Sequence, residues 1–199
     1  IISISWGCPE TYVIDDAIAT NQLFKTATSM GINICAASGD NGSSDGTFFN
    51  NMCDFPSSSP YVIACGGTTL TCPNKQYDKK TTEKAWSDGG GAVSQIFKKL
   101  SYQNTIKTTM RCTPDIAMNA DPSTGVSYLI NGEYVVMGGT SMVAPSMAGL
   151  LACLQFKQFA LPKMYTLNSS CYHDIVKGSN GLYTAIKGYD KCTGLGSIN

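Results

Sequence analysis

The sequence is short of charge, of histidine and of long apolar runs, and each shortage excludes something. Charged residues make up 14% of the 199, fourteen of each sign, and no basic run is longer than a pair. That distribution supplies no cationic stripe for a nucleic acid or an anionic membrane. The apolar stretches are too short, and too broken by Gly and polar residues, to cross a bilayer. No Cys-x-x-Cys pair occurs, so the spacing of a structural zinc site is missing. Internal repeats and low-complexity segments are absent too. The one histidine, His173, is the only candidate for an imidazole base. No initiator Met or targeting segment precedes the strand-like run Ile1 to Ser5, and the expectation is that upstream sequence is removed or supplied separately.

What is there suits one globular domain over residues 1–199 with a sizeable core, since 43% of the residues are hydrophobic. Nine cysteines are many for a cytosolic chain of this size. Cys35 and Cys65 lie in apolar, strand-like runs and read as buried small hydrophobes. Cys8, Cys53, Cys72, Cys112, Cys171 and Cys192 stand in loop-like sequence and could form disulfides, in a pairing the sequence does not fix. Asn41-Gly42-Ser43 and Asn168-Ser169-Ser170 are formal glycosylation acceptors. Together these lean towards an oxidising compartment outside the cytoplasm.

Apolar spacing predicts a strand at Ile1 to Ser5, a helix at Ile14 to Met30 ended by Gly31, and a strand at Ile32 to Ser38. Strand, helix, strand within some forty residues implies a parallel sheet with helices on its faces, so the fold class is α/β. A Gly- and Ser-rich loop from Gly39 to Ser59 precedes a strand at Tyr61 to Cys65, and Thr71 to Thr113 reads as long surface loops. "GVSYLINGEYVVMGG" is a hairpin turned by Asn131-Gly132. The run Met142 to Phe156 then reads as a fully buried helix, and Leu161 to Asn199 as a loop-rich tail.

Ser141 stands between a Gly-Gly-Thr turn and that helix, which contains Pro145. Helix starts present free N–H groups and favour negative charge, so Ser141 is either an N-cap or a nucleophile. A nucleophile needs a base and donors for the oxyanion. His173 follows in the tail beside Asp174, where a loop role is commoner than a catalytic one. Asp40, in "AASGDNG", follows a predicted parallel strand, where α/β sheets place ligands, although an Asx-turn is the ordinary use of such an Asp.

"GGTSMVAP" resembles the nucleophile motif shared by subtilisin-like serine proteases and the sedolisins, the serine-carboxyl peptidases. "SGDNG" separates the two, because subtilisin-like enzymes use Asn in that loop and sedolisins use Asp. "SISWG", "DFPSSSPYVIACGGT", "EKAW" followed by "GGGAVS", "PDIAMNADPSTG" and "GYDKCTGLGS" follow in sedolisin order over almost all 199 residues. The resemblance implies a subtilisin-like fold: a mostly parallel sheet flanked by helices, with a calcium-binding loop near the C-terminus. It makes residues 1–199 the C-terminal larger part of a sedolisin catalytic domain.

The resemblance assigns Ser141 as nucleophile and Asp40 as oxyanion donor beside the Ser141 N–H. A carboxylate only accepts hydrogen bonds, so an Asp in that role must carry a proton. Ordinary Asp ionises near ~3.9, so the arrangement favours acid. The family's base is a Glu oriented by an Asp on a helix before the "SISWG" strand. Neither is in this sequence, and the expectation is that the chain alone hydrolyses nothing. Glu10, Asp15 and Asp16 read as capping or solvated acids. Trp6 and Gly7 match a strand that pairs with substrate, core packing being the other use of a Trp. Asp54 matches an Asp at the pocket's edge that favours a basic or polar side chain. Gly90, within Gly89-Gly90-Gly91, matches glycines that let substrate backbone approach.

Asp174 and Asp190 match carboxylate ligands of one calcium ion, with carbonyls of Ile175, Ile186 and Gly188 completing a hard-oxygen set. Ile186 stands where Gly is usual, which matters if the backbone there is left-handed. The implied partners are a peptide or protein substrate and the missing N-terminal segment or propeptide of the same precursor, with no nucleic acid and no membrane. The implied setting is secreted, lysosomal or otherwise acidic and extracytoplasmic. The alternative is a degenerate, non-catalytic peptidase homologue that serves as a binding or structural protein. A lipase or esterase fits less well, since "GGTSM" is not the Gly-x-Ser-x-Gly of those enzymes.

Overall fold

The apolar run that opens the chain forms β1 (Ile2–Ile4), followed by a short β2 (Cys8–Pro9) and by α1 (Ile14–Ser29). The computed structural model describes residues 1–199. Asp15 and Asp16 lie exposed in the first turn of α1, where the helix dipole favours them. β3 (Ile34–Ala37) completes the βαβ unit and pairs parallel with β1. After β4 (Asp54–Phe55), β5 (Ile63–Thr71) pairs parallel with β3. β6 (Thr82–Ala85), β7 (Val93–Lys98), β8 (Met110–Cys112) and β9 (Ile116–Asn119) follow. The hairpin β10 (Val126–Ile130) and β11 (Glu133–Met137) leads into α2 (Thr140–Cys153) and a short α3 (Ala160–Met164). β12 (Tyr172–His173) and β13 (Ser197–Ile198) lie in the tail.

The main sheet runs β1-β3-β5-β9-β13-β12, with β6 antiparallel on the far end of β5. β1, β3, β5, β9 and β13 are parallel, so the sheet is mostly parallel as its pattern implies. Period-2 alternation splits β3 between two cores. Ile34 and Ala36 pack with Val62 under Phe24 and Ala27 of α1, while Cys35 packs with Ile63, Val143, Ala144 and Met147 under α2. Asn131 and Gly132 both take positive φ, 52° and 87°, and make the two-residue turn of the hairpin.

Three expectations need correction. α2 is not fully buried: Thr140, Val143, Ala144, Met147 and Leu151 face the sheet, while Pro145, Ser146 and Cys153 are exposed. Its Ala, Gly and Ser make the sequence look apolar all round, but only positions three or four apart meet the core. Thr71 to Thr113 holds three strands, and β5 runs past Cys65 to Thr71. β6 is polar because it adds to an end of the sheet where side chains meet water. Finally, all nine cysteines are free. Cys53 instead lies 3.4 Å from the Thr113 hydroxyl, and the Cys192 thiol donates to the Tyr183 carbonyl at 3.2 Å.

One buried ion pair underpins the central strands. Arg111 and Asp115 are both fully buried and meet through two contacts, Nη1–Oδ1 at 2.6 Å and Nη2–Oδ2 at 2.5 Å. Asp115 also accepts from the Ala64 N–H at 2.7 Å and the Tyr165 hydroxyl at 2.8 Å, which locks β5 to the turn before β9. Removing one partner of such a pair leaves a charge uncompensated. Arg111→Ala is expected to cost about 3–5 kcal/mol in urea unfolding. A loss under about 1 kcal/mol contradicts this role for the pair.

Candidate active site

β1 and β3 end side by side, and their carboxyl ends deliver Ser5 to Gly7 and Gly39 to Asp40 to one opening. The N-terminus of α2 points into it. The resulting cavity of about 300 Å³ is lined by Trp6, Gly7, Asp40, Asp45, Asp54 and Ser141, among others. Five of these are sequence-predicted site residues. Asp40 and Ser141, a hundred residues apart, therefore share one cleft.

Asp40 is fixed by the helix start. Its Oδ1 accepts from the Thr140 N–H and from the Thr140 hydroxyl, both at 2.7 Å. The Thr140 hydroxyl in turn accepts from the Gly39 N–H at 3.2 Å. Asp40 thus performs in trans the capping that an N-cap side chain usually performs, and the residue before the helix, Gly139, has no side chain to do it. Gly139 has φ 100°, and a Cβ there would lie 2.7 Å from Asp40 Oδ2. Asp40 Oδ2 itself makes no hydrogen bond within the chain and stays free in the cleft.

Ser141 is the second residue of α2 and does not cap it. Its hydroxyl donates to the Ser5 carbonyl at 3.2 Å, and the Ser5 hydroxyl donates to the Ser141 carbonyl at 2.8 Å. Pro145 explains the second bond. Lacking an N–H, it cannot serve the carbonyl four residues back, so Ser141 needs an outside donor. No Glu, His or Lys lines the cleft beside Ser141.

Trp6 is 75% exposed, which excludes the core reading and leaves its ring at the cleft. Gly7 is pressed against Asp54, whose Oδ1 would lie 1.9 Å from an added Cβ. Gly90 does not line the cleft. It is buried against the chain's own backbone, with its N–H on the Gly39 carbonyl at 2.8 Å and its carbonyl receiving the Ser38 hydroxyl at 2.7 Å. A Cβ there would meet the Ser38 carbonyl at 1.9 Å, so the glycine supports the Asp40 loop and leaves no room for substrate. His173 stacks on Tyr77 with ring centroids 3.7 Å apart and is not in the cleft. Glu10 is neither cap nor solvated. It is fully buried and receives the Gln95 N–H at 2.6 Å and the Ser94 hydroxyl at 2.8 Å.

Asp45 escapes the sequence reading. It is buried, adopts φ 48°, and lines the same cavity. Burial, with the nearby Asp40 charge second, pushes its carboxyl up to about 7. Burial, then Asp45, Asp40 and Glu10, pushes Asp54 up to about 9. Burial likewise raises the Cys8 thiol at the rim.

In the tail, Asp174 is tied to Gly188 and Asp190 to Ile186. Both Asp174 oxygens accept from the Gly188 N–H, at 3.1 and 3.0 Å. Buried Asp190 accepts from the N–H groups of Ile186, Cys192 and Thr193. The carbonyls of Ile175, Ile186 and Gly188 accept no hydrogen bond within the chain, which leaves them available as hard oxygen donors. That donor chemistry fits a calcium ion. Ile186 is not in the left-handed region, so its side chain causes no strain.

A model of the subtilase family matches residues 1–168. The chain is 40% identical to kumamolisin of Bacillus sp. (strain MN-32), over 99% of this chain and 40% of that protein. It is 33% identical to sedolisin of Pseudomonas sp. (strain 101), over 100% of this chain and 39% of that protein. The chain thus spans about two fifths of these relatives. Among solved structures, Pseudomonas sedolisin (serine-carboxyl proteinase), complexed with two molecules of pseudo-iodotyrostatin, superposes with a TM-score of 0.90 at 29% identity. That match covers 98% of this chain and 61% of that one.

Two glycines of one motif region separate conformation from helix propensity. Gly149 lies within α2 with open space around its Cβ position, so Gly149→Ala should stabilise by about 0.5–1 kcal/mol. Gly139→Ala should destabilise by about 1–3 kcal/mol, because φ and Asp40 both oppose it. Urea unfolding of both variants checks this, and shifts of the same sign contradict it.

Proposed function

The chain belongs to the subtilase family, in its sedolisin branch of kumamolisin-like members, and from that premise we propose that it carries the nucleophile side of an acid-acting serine-carboxyl peptidase. One observation carries the reading. Asp40 is pinned through Oδ1 to the start of α2, while Oδ2 is left free in the cleft that holds Ser141. With Oδ1 accepting two hydrogen bonds, a proton on Asp40 belongs on Oδ2, where it becomes a donor.

In this mechanism the Ser141 oxygen attacks the scissile carbonyl, and the developing oxyanion is held by the Asp40 O–H and the Ser141 N–H. The Ser141 proton goes to a base outside residues 1–199, the Glu of the Glu/Asp pair that the sedolisin pattern places before the first strand. A carboxyl group in that role donates only in its protonated form. Gly7 and the β1 end hold the substrate backbone, with Trp6 and Asp54 beside it. The setting is an acidic compartment outside the cytosol, and no helix is long and apolar enough to cross a membrane. The tail loop takes one calcium through Asp174 and Asp190 and the carbonyls of Ile175, Ile186 and Gly188, with a structural role.

The second reading, a non-catalytic homologue that only binds peptides, draws on the Ser141 hydroxyl. That hydroxyl donates to a carbonyl and meets no base of this chain. Joining the chain to a Glu/Asp-bearing segment decides between them. The joined protein should hydrolyse a denatured protein substrate in acid, and the chain alone should not. Asp40→Ala in the joined protein should lower kcat by about 10²–10³. No hydrolysis by the joined protein, or full turnover by Asp40→Ala, sinks the peptidase reading.

Calcium is tested by thermal unfolding. Chelation should lower Tm by about 5–10 °C if the ion is bound near 100 times its dissociation constant, and Asp190→Asn should abolish the effect. A Tm indifferent to both chelator and added calcium contradicts the site.

A further inference from the structure

A second cavity, of about 570 Å³ against about 300 Å³ for the cleft, opens between the β7–β8 connection and the tail loop. Thr105, Lys107 and Thr108 form one wall, and Tyr183, Thr184 and Lys191 another. The two cavities share no residue. Tyr189 borders the larger one, and its hydroxyl donates to the Pro114 carbonyl at 3.0 Å, just before β9. β9 runs parallel to β1 and β3, so this cavity lies at the amino ends of the strands and the cleft at their carboxyl ends.

Its walls carry donors that the chain leaves unused. The Thr105 and Thr184 hydroxyls make no hydrogen bond within the chain, and Thr108 Oγ1 only accepts, from the Met110 N–H at 3.1 Å. The N–H groups of Thr105, Lys107 and Lys191 donate to nothing in the chain. Positive charge gathers at the same place. Lys191 Nζ lies 4.5 Å from the Tyr183 ring centroid, and the ring face holds the ammonium there. Lys107 stands exposed on the other wall, and Lys99 Nζ donates to the Ile106 carbonyl at 2.7 Å, which brings a third cation to the same turn. None of the three is in an ion pair, the chain's one ion pair being Arg111–Asp115. Asp190 is the single acid at the wall, and its carboxylate already receives the N–H groups of Ile186, Cys192 and Thr193. The cavity is distinct from the calcium loop's own pocket, where Asp174 and Gly188 meet Tyr172 and Leu195.

We propose that this cavity is an oxyanion site that takes the phosphate or sulfate group of a small molecule. Such a group offers acceptors on every side, which suits free hydroxyls and N–H groups drawn from two separate loops. The cations are all Lys, compact point charges that fit a tetrahedral oxyanion, and the planar fork of an Arg is missing. Charges of one sign facing each other across a cavity concentrate the field and draw an anion in. The volume falls in the range of small-molecule sites. A bound oxyanion ties the β7–β8 connection to the tail loop, at the end of the sheet away from Ser141. The site is therefore independent of the peptidase reading, and either can fail without the other.

Titration calorimetry of the chain with sodium phosphate and, separately, with sodium sulfate tests the site. The titrations are run at acid pH, where calcium phosphate stays dissolved, with ionic strength held constant by sodium chloride. At least one of the two oxyanions should bind saturably at one site, with a Kd of about 1 mM or below. Phosphate binding alone identifies a phosphate ester as the ligand class, and sulfate binding alone a sulfate ester. Lys191→Gln should weaken binding about tenfold and Lys107→Gln about threefold, while Lys107→Arg keeps most of it. Lys107 is exposed, so its substitution leaves the fold intact and decides the matter should Lys191→Gln unfold. Saturable binding of neither oxyanion, or binding that Lys107→Gln and a folded Lys191→Gln both leave unchanged, overturns the proposal.

Discussion

The site depends on one carboxyl group held at the start of a helix a hundred residues away. Asp40 closes the free N–H of Thr140, ties the end of β3 to α2, and so fixes where Ser141 stands. The capping bond favours this contact by about 1 kcal/mol. The surroundings are shaped to admit it: Gly139 has no Cβ to strike Asp40, and Gly90 lets the Ser38–Gly39 backbone lie flat beneath. The cost is chemical. An oxyanion donor built from a carboxyl group works only while it keeps a proton, which ties the cleft to acid.

A second tie acts on Ser141 from the other side. Pro145 deprives the Ser141 carbonyl of its helical donor, and Ser5 replaces it. β1 and α2 are thereby joined next to the nucleophile. The proline inside the helix, unfavourable for the helix alone, becomes a docking point for the strand that carries Trp6 and Gly7. Beneath them the buried Arg111–Asp115 pair holds the middle of the sheet, so the loops above it start from rigid strands.

Much of this is legible in the sequence, and for stated reasons. The βαβ unit is visible because apolar residues change period between α1 and its flanking strands, and the hairpin because Asn131-Gly132 suits two left-handed positions. Ser141 and Asp40 stand out through motif and place. What escapes is burial of polar groups. Nothing in "NGSSDG" separates a buried carboxyl from a turn residue, so Asp45 is invisible until the loop folds over it. Glu10 escapes likewise, because its partners Ser94 and Gln95 are distant in sequence; Arg111 escapes although Asp115 is only four residues on, because that spacing does not distinguish a buried pair from a solvated one. The spacing of Gly89 to Gly91 reports that backbone comes close, but not whose backbone, which is why Gly90 supports the loop and does not face the cleft.

Neutron diffraction of the protein in acid tests the central claim most directly, because it locates the proton itself. The account predicts deuterium on Asp40 Oδ2, directed into the cleft that contains Ser141, and none on Oδ1. Deuterium on Oδ1, or an ionised Asp40 at a pH where the joined enzyme works, contradicts it.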